Sequence, residues 1–224
     1  MIDKEPHISR VLNSKQETRA NYDRLSRWYD WISGPGERRL RAIGVQKLNV
    51  TAGDIALEIG FGTGHDLLAL AQSVGDSGKV YGIDLSPYML DITRERVKKA
   101  GFAQRVELLC GDAAHLPYRA DYFDTLFSGF TLELFDTAEI HQVLDKCHRV
   151  LKERGRICVV SLSKTGSGTW MRDLYEWGHE HFPRILDCRP IFVQKALEEA
   201  GFNIQEATIS SLWGLAVEIV LARK

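Results

Sequence analysis

The sequence lacks the features that would assign it at once to a membrane, secreted, metal-binding or nucleic-acid-binding class. No apolar run approaches the roughly 20 residues of a membrane span, and the polar N-terminus has no signal-like apolar region. The cysteines form neither a C-x-x-C pair nor a zinc-type cluster with histidine; they are Cys110, Cys147, Cys158 and Cys188. The formal net charge is only -1, so bulk electrostatics do not favour nucleic acid. We therefore expect a cytoplasmic protein with buried free thiols, no metal and no nucleic-acid partner.

The composition that is present is that of a globular protein. With 224 residues, of which 44% are hydrophobic and 26% charged, the chain can bury a substantial core. We predict a helical segment over residues 1–50 that serves as a lid on the substrate side, and a main domain over residues 51–224. An aromatic insertion at about residues 163–189 is predicted to lie on the substrate side of that domain.

From Thr51 onward, short apolar runs alternate with helical patterns. Five runs are predicted as strands, at residues 54–60, 79–85, 105–112, 122–130 and 156–162. Most of them are apolar throughout, which is typical of strands that are buried on both faces of a parallel sheet. The repeated strand–helix order predicts an α/β, doubly wound sheet with helices on both faces.

The end of the chain departs from this order. After a predicted helix that stops at Gly201, residues 202–210 and 213–224 read as two strands with no helix between them. Strands joined so closely are most simply an antiparallel hairpin. The predicted sheet is therefore mostly parallel, with an antiparallel pair at the C-terminal end.

The stretch "ALEIGFGTGHDLLALA", residues 56–71, places three glycines between a strand and a helix. At such a turn, glycines permit positive φ and let a ligand approach the backbone, although a tight turn without a ligand has the same pattern. The spacing Gly60-x-Gly62-x-Gly64 differs from the G-x-G-x-x-G of dinucleotide folds. Glu58, an acid inside the first strand, needs a partner, such as a ligand ammonium or a backbone N–H.

Polar residues also follow the next three strands. Asp84 ends the second strand, where a carboxylate can accept hydrogen bonds from both ribose hydroxyls. Asp112 ends the third, in a position to meet a base edge, and Ser128 ends the fourth at the switch point of the sheet. For both aspartates the alternative is a helix-capping role. Four such features at successive strand ends together indicate a nucleotide-like ligand.

These residues resemble a known family. The stretches "LEIGFGTG", "GIDLSPYML", "GDAAHLPYRADYFD" and "RVLKERGRICVVS" resemble successive motifs of class I S-adenosylmethionine-dependent methyltransferases, and the C-terminal strand pair resembles that family's hairpin. The resemblance implies a Rossmann-like sheet of seven strands, with S-adenosylmethionine as cofactor and S-adenosylhomocysteine as product. It also implies cofactor contacts for a set of residues along the strand ends: Glu58, Gly60, Gly62, Gly64, Asp84, Leu85, Met89, Asp112, Ala113 and Ser128.

By the same likeness, each part of the cofactor has its own neighbours. The glycine backbone would lie beside the methionine moiety and adenosine, Asp84 would hold the ribose hydroxyls, and Glu58 would orient this neighbourhood. Leu85 and Met89 would pack near the adenine. Asp112 and Ala113 would contact the adenine edge, and Ser128 would lie near the methionine end.

The methyl acceptor has to be inferred from the segments outside the sheet. "NYDRLSRWYDWISG" repeats Tyr-Asp with a gap of seven, which brings Tyr22 and Tyr29 to one helix face. They either pack as part of an amphipathic lid or close over the cofactor, where an aromatic face favours a sulfonium. The pattern resembles ubiquinone and menaquinone biosynthesis C-methyltransferases and some phospholipid N-methyltransferases. It implies a small or lipophilic acceptor, best assigned as a quinone precursor, with phospholipid or small-metabolite N- or O-methylation as the alternative.

Several further roles stay open at this point. His179 and His181 are either catalytic bases or surface histidines, His65 either touches the cofactor or faces solvent, and no catalytic base is assigned. The basic run "ERRLRAIGVQK", residues 37–47, is either a solvated helix face or a peripheral contact with an anionic membrane. An NAD-dependent oxidoreductase and a non-catalytic cofactor-binding protein are the other candidate functions. The chain is either a monomer or a homodimer.

Overall fold

The computed structural model describes residues 34–165 and 189–224, and within these ranges seven strands form one sheet. The strands are β1 (Ile55–Ile59), β2 (Lys79–Asp84), β3 (Val106–Cys110), β4 (Phe123–Gly129), β5 (Leu151–Leu162), β6 (Asn203–Leu212) and β7 (Leu215–Arg223). Their order in the sheet is β3-β2-β1-β4-β5-β7-β6. Strands β1 to β5 pair in parallel, whereas β7 is antiparallel to both β5 and β6. The predicted mostly parallel sheet with a C-terminal hairpin is confirmed.

The helices follow local signals in the sequence. They are α1 (Gly34–Leu48), α2 (His65–Ser73), α3 (Pro87–Lys99), α4 (Thr137–Val150) and α5 (Val193–Glu199), with short 3-10 turns at Ala113–His115 and Leu132–Leu134. Ser86 caps α3 by accepting a hydrogen bond from the Met89 N–H, and Pro87 occupies the first turn. Asp136 and Glu139 form a capping box at the start of α4.

Helices cover both faces of the sheet, as predicted. One hydrophobic cluster packs α1, α2 and α3 against one face through Leu40, Leu67 and Met89, among others. The other packs α4 and α5 against the opposite face, with Leu144 and Leu197 among its members. Neighbouring residues of β1 belong to different clusters because successive side chains of a strand point to opposite faces. The central strands β1, β2 and β4 are therefore buried on both sides, which explains their largely apolar sequences.

Helix α1 packs directly on the sheet. A Cβ on Gly44 would lie 2.5 Å from a methyl carbon of Val160 and 3.0 Å from the Phe127 ring. Only a glycine allows this close approach of the helix backbone to β4 and β5. Residues 34–48 of the predicted N-terminal segment therefore contribute to the packed core. The rest of that segment, with Tyr22 and Tyr29, lies outside the described residues.

Strand β5 begins earlier than the predicted start at Arg156. It starts at Leu151, which pairs with Phe123, and the register then shifts before Arg156 pairs with Thr125. Lys152 Nζ lies 2.8 Å from both carboxylate oxygens of Asp124, so this polar stretch is held by a neighbouring strand. Such a long-range contact leaves no apolar pattern in the sequence.

The thiols in the described residues are free. Cys147 and Cys158 are buried, as predicted, whereas Cys110 is only half-buried, and Cys188 lies outside the described residues. Burial raises the pKa of the Cys158 thiol to about 12, so the thiol stays protonated and inert.

None of the helices in the described ranges combines the length and apolarity needed to cross a bilayer.

Candidate cofactor site

The glycine turn between β1 and α2 leaves one open side. Gly60, Gly62 and Gly64 have φ values of 71°, 48° and 81°, all in the left-handed region that favours glycine. A Cβ on Gly60 would overlap Thr131, and one on Gly64 would lie 2.5 Å from Thr93 Cγ2. A Cβ on Gly62 would meet no atom of the described residues within 4 Å. The first and third glycines are therefore required for packing, whereas the second offers its backbone to a ligand.

Asp84, at the end of β2, ties the turn to the start of α3. Its Oδ2 accepts a hydrogen bond from the Gly62 N–H at 2.8 Å, and its Oδ1 accepts one from the Ser86 N–H at 2.9 Å. Each carboxylate oxygen can accept a further hydrogen bond. The half-buried side chain is thus fixed by backbone groups at the edge of the sheet where the resemblance places the ribose hydroxyls.

Asp112 lies beside Asp84 in space and has a capping role. Its Oδ1 accepts a hydrogen bond from the Ala114 N–H at 3.0 Å, which caps the 3-10 turn at Ala113–His115. The Gly111 N–H donates to the Asp84 carbonyl at 2.8 Å and joins the two strand ends. Capping fixes the carboxylate at this edge of the sheet, so it does not exclude the predicted contact with adenine.

The other residues predicted near the cofactor differ in how accessible they are. Leu85 is half-buried, but the Met89 side chain is only 1% exposed and packs in the core cluster of α1, α2 and α3. Ala113 is also buried. The Ser128 hydroxyl is buried and has no hydrogen-bond partner among the described residues, so it is an orphaned polar atom at the end of β4. Met89 is thus part of the core, and its predicted contact with adenine stays a prediction.

A buried ionic cluster that the sequence did not reveal lies behind the glycine turn. Arg41 Nη1 lies 3.1 Å from Glu37 Oε1, and Arg41 Nε lies 3.1 Å from Asp66 Oδ2. The Arg41 side chain also lies against Gly129 at the end of β4, where a Cβ would be 3.0 Å from its Cδ. We call Glu37, Arg41, Glu58 and Asp66 the Arg41 cluster, because one guanidinium faces three carboxyl groups.

The predicted solvated or membrane-facing role of the run at residues 37–47 is wrong for Glu37 and Arg41, because both are buried. Lys47 is half-buried and pairs with Glu206 of β6. Arg38 and Arg39 are exposed, as predicted. The signal in the sequence was the spacing of four between Glu37 and Arg41, which places both side chains on one helix face.

Glu58 is the most confined acid of this cluster. It is 2% exposed, and its Oε2 has no hydrogen-bond partner among the described residues. Burial, followed by the charge of Asp66, raises the pKa of Glu58 well above its ordinary value, and Arg41 opposes the shift. A cationic ligand group near Glu58 would favour the ionised form.

Glu133 is a second buried acid, on the 3-10 turn that follows β4. Its Oε1 accepts a hydrogen bond from the Leu162 N–H at 3.4 Å, and its Oε2 has no partner among the described residues. Burial raises the pKa of Glu133 to about 7, and burial likewise raises that of Glu37 to about 7. Buried carboxyl groups therefore line the carboxyl edge of the sheet on both sides of β4.

These acids predict a pH dependence of stability. The unfolded chain releases the protons of Glu37 and Glu133 near pH 4.5, whereas the folded chain keeps them until about pH 7. Between these values the folded state binds more protons, so the free energy of unfolding falls as pH rises, by up to about 3 kcal/mol for each group. Denaturant unfolding at pH 5.5 and pH 8 measures this loss.

The substitution Glu133→Gln removes one of the two titrations and should flatten this dependence. The matched control is Glu107→Gln, because Glu107 is exposed and pairs with Lys79 on the surface. A Glu133→Gln protein with the same loss of stability between pH 5.5 and pH 8 as the wild type would refute the assignment.

The remaining candidates are only partly described. His65 is the first residue of α2 and lines a groove of about 470 Å³ between α1 and α2, together with Arg38, Gln46 and Asp66. Tyr22, Tyr29, His179 and His181 lie outside the described residues, and their roles stay predictions.

The geometry fits an adenosine-containing ligand without a pyrophosphate. The open backbone at Gly62, the carboxylates of Asp84 and Asp112, and the orphaned atoms of Glu58 and Ser128 lie at neighbouring strand ends. Ligands of open α/β sheets bind at this carboxyl edge.

Comparison with known proteins agrees with this geometry. The family description "Methyltransferase domain" matches residues 56–155, from β1 into β5. The chain is 34% identical over 205 residues to a demethylmenaquinone methyltransferase of Anoxybacillus flavithermus, which covers 91% of this chain and 80% of that protein. It is 40% identical over 119 residues to a demethylmenaquinone methyltransferase of Lactobacillus johnsonii, where the match spans 53% of this chain and 48% of that protein.

Solved structures share the fold at lower identity. The [4+2]-cyclase SpnF superposes with a TM-score of 0.75 at 18% identity, covering 95% of this chain and 97% of SpnF. A 1,6-didemethyltoxoflavin-N1-methyltransferase of Burkholderia thailandensis, solved with bound S-adenosylhomocysteine, has a TM-score of 0.68 at 20% identity and covers 100% of this chain and 97% of that one. At such identity these likenesses establish the fold, and the function has to be argued from the site.

Proposed function

The chain belongs to the class I S-adenosylmethionine-dependent methyltransferases, and we propose that it methylates a lipophilic precursor in quinone biosynthesis. The observation that carries the acceptor class is the 34% identity to a demethylmenaquinone methyltransferase, sustained over 91% of this chain. The aligned region therefore extends well beyond the cofactor-binding motifs. The proposal includes the predicted cytoplasmic location.

Different residues of the site would hold different parts of the cofactor. S-adenosylmethionine, when bound, supplies an electrophilic methyl group on a sulfonium. Asp84 would orient the ribose, the Gly62 backbone would allow close approach, and Asp112 would meet the adenine edge. Glu58, with its orphaned Oε2, would offset positive charge at the methionine end.

Methyl transfer depends mainly on how the acceptor is positioned. An in-line displacement needs the nucleophile held opposite the leaving sulfur, and a base is needed only if the acceptor must lose a proton. For a ring carbon that proton must leave, and His179 and His181 are candidate bases, with surface histidines as the alternative.

The described flanks of the predicted insertion lie at the carboxyl edge of the sheet. The Ser163 N–H donates to the Ala216 carbonyl, and the Lys164 N–H donates to the Ile191 carbonyl, so the insertion begins and ends beside β7. Glu218 of β7 accepts hydrogen bonds from the Thr165 hydroxyl at 3.1 Å and from the Val193 N–H at 2.9 Å. This arrangement supports a role for the insertion in binding the acceptor.

A direct assay tests the proposal. The protein is incubated with S-adenosylmethionine carrying a labelled methyl group and, separately, demethylmenaquinone in reduced form, a phospholipid dispersion and a water-soluble metabolite extract. We expect label in the quinone and only background in the other two. Label confined to the phospholipid or the extract would replace the quinone by that acceptor. Cofactor binding without transfer to any of them would contradict catalysis on these acceptor classes.

A further inference from the structure

The Arg41 cluster holds more acid than base. The guanidinium lies 3.1 Å from Glu37 Oε1 and 3.1 Å from Asp66 Oδ2, and Glu58 adds a third carboxyl group on which its charge acts. A buried carboxylate needs a positive partner, and the charge of one guanidinium neutralises that of one carboxylate. If all three acids were ionised, the cluster would therefore carry an excess of negative charge.

The cluster lies directly behind the cofactor site. The Glu58 side chain points to the face of the sheet that α1, α2 and α3 cover, because its neighbours Leu57 and Ile59 pack on the opposite face. Glu58 lies two residues before the glycine turn, and the negative charge of Asp84 acts on it. Asp84 in turn binds the Gly62 N–H at 2.8 Å. A positive charge on a ligand at this turn would therefore act on Glu58 as well.

Glu58 holds a proton in the ligand-free protein. Burial and the charge of Asp66 raise the pKa of Glu58 well above its ordinary value, and the opposing charge of Arg41 is shared with the other acids. Its Oε2 has no hydrogen-bond partner among the described residues, which costs less for a neutral carboxyl group than for a carboxylate. The other charged groups that act on members of the cluster are Arg38 of α1, His65 of α2 and Asp84 of β2.

The cofactor and its product differ in the charge that they bring to this site. S-adenosylmethionine has an ammonium, a carboxylate and a sulfonium group, so it carries a net positive charge. Methyl transfer leaves the bonding electron pair of the S–CH3 bond on sulfur, so S-adenosylhomocysteine has lost the sulfonium and carries no net charge. Because a nearby positive charge favours the ionised form of a carboxyl group, the two ligands should act differently on Glu58.

We propose that binding of S-adenosylmethionine expels the proton of Glu58 to solvent, so that the Arg41 cluster selects the cationic cofactor over its neutral product. The ionised Glu58 would supply the negative charge that the sulfonium and ammonium lack in a buried site. After methyl transfer Glu58 would take up a proton again, and the product would be held less tightly. The inference rests on the cofactor of the family and not on the identity of the methyl acceptor.

Calorimetry measures the expelled proton directly. The wild-type protein is titrated with each ligand at pH 6.5 in phosphate and in imidazole, two buffers with different ionisation enthalpies. The dependence of the observed enthalpy on the buffer gives the number of protons released. We expect about one proton for S-adenosylmethionine and less than about half of that for S-adenosylhomocysteine. Binding of S-adenosylmethionine without proton release, or equal release by both ligands, would overturn the proposal.

The affinity should depend on pH in a defined direction. The free protein binds more protons than the complex, so the affinity for S-adenosylmethionine rises with pH between the pKa of Glu58 in the complex and its raised pKa in the free protein. From pH 5.5 to pH 7 the increase should be about tenfold or more, against about threefold or less for S-adenosylhomocysteine. This range lies below the titration of the ligand amino group, at about pH 7.7–8.0. A constant affinity for S-adenosylmethionine would contradict the proposal.

Two buried acids provide a matched pair of variants. Glu58→Gln keeps the shape of the side chain but has no proton to release, so proton release should fall close to zero and the preference for S-adenosylmethionine at pH 7 about tenfold. Glu133→Gln removes another buried acid, whose pKa is also raised by burial to about 7 but which lies outside the cluster, and should release protons like the wild type. Release as in the wild type by Glu58→Gln, or an equal loss in both variants, would overturn the proposal.

A further variant covers the case in which Glu58→Gln does not fold. Asp66→Asn removes the negative charge that adds most to the effect of burial on Glu58, so less proton should be bound before the ligand arrives and release should fall. Unchanged release by a folded Asp66→Asn protein would contradict the proposal. None of these titrations contains a methyl acceptor. They can therefore succeed while the quinone assay fails, or fail while the quinone is methylated.

Discussion

Replacing Asp84 with alanine should weaken S-adenosylmethionine binding by about 100-fold. The Asp84 carboxylate accepts hydrogen bonds from the Gly62 and Ser86 N–H groups, and we assign it two more from the ribose hydroxyls. Hydrogen bonds to a charged group contribute about 1.5 kcal/mol or more each, so the loss of two corresponds to about 3 kcal/mol. Isothermal titration calorimetry with S-adenosylmethionine and S-adenosylhomocysteine measures the change.

Two further variants make this result specific. Asp91→Ala removes an exposed aspartate from the same part of α3, where it pairs with Arg94, and should leave the affinity unchanged. Asp84→Asn keeps the shape of the side chain but removes its charge, and should give an intermediate affinity. An Asp84→Ala protein that stays folded and binds the cofactor like the wild type would remove the ribose assignment.

Replacing Arg41 with methionine should destabilise the fold by about 3–5 kcal/mol at pH 8. Arg41 is the cation that faces Glu37 and Asp66 at 3.1 Å each, and its charge also opposes the raised pKa of Glu58. Removing one partner of a buried ion pair leaves an uncompensated charge in a medium of low polarity. Burial raises the pKa of Glu37 to about 7, so Glu37 is protonated at pH 5.5 and the loss should be smaller there. Urea unfolding at both pH values tests this prediction.

The control for Arg41 lies on the same helix. Arg39→Met removes an exposed guanidinium two residues earlier and should change the free energy of unfolding by less than about 0.5 kcal/mol. If Arg41→Met lost no more stability than Arg39→Met, or lost the same amount at pH 5.5 as at pH 8, the buried cluster would not have the electrostatic role assigned to it.

The sheet could be predicted because its signals are local. Apolar runs such as residues 54–60 and 79–85 specify buried parallel strands, and the short connection before Leu215 specifies a hairpin. The glycine turn could also be predicted from the sequence, since glycine is the residue that best suits the positive φ at Gly60, Gly62 and Gly64. Motifs that need a particular backbone conformation can thus be identified from the sequence.

The buried charges could not be predicted because their partners are distant in sequence. Arg41 and Asp66 belong to different helices, and nothing in "ERRLRAIGVQK" distinguishes the buried arginine from its exposed neighbours Arg38 and Arg39 except its spacing from Glu37. The resemblance implied that Met89 packs near the adenine. The structure places its side chain in the core cluster of α1, α2 and α3, and the contact with adenine stays a prediction.

The measurement that tests the central claim most directly is a calorimetric titration of the wild-type protein with S-adenosylmethionine, S-adenosylhomocysteine and, as a competitor from the other fold class, NADH. The open backbone at Gly62 and the carboxylate of Asp84 predict saturable binding of both sulfur ligands at one site per chain, and no binding of NADH. Absence of binding by both sulfur ligands at millimolar concentration, or tight binding of NADH alone, would contradict the account.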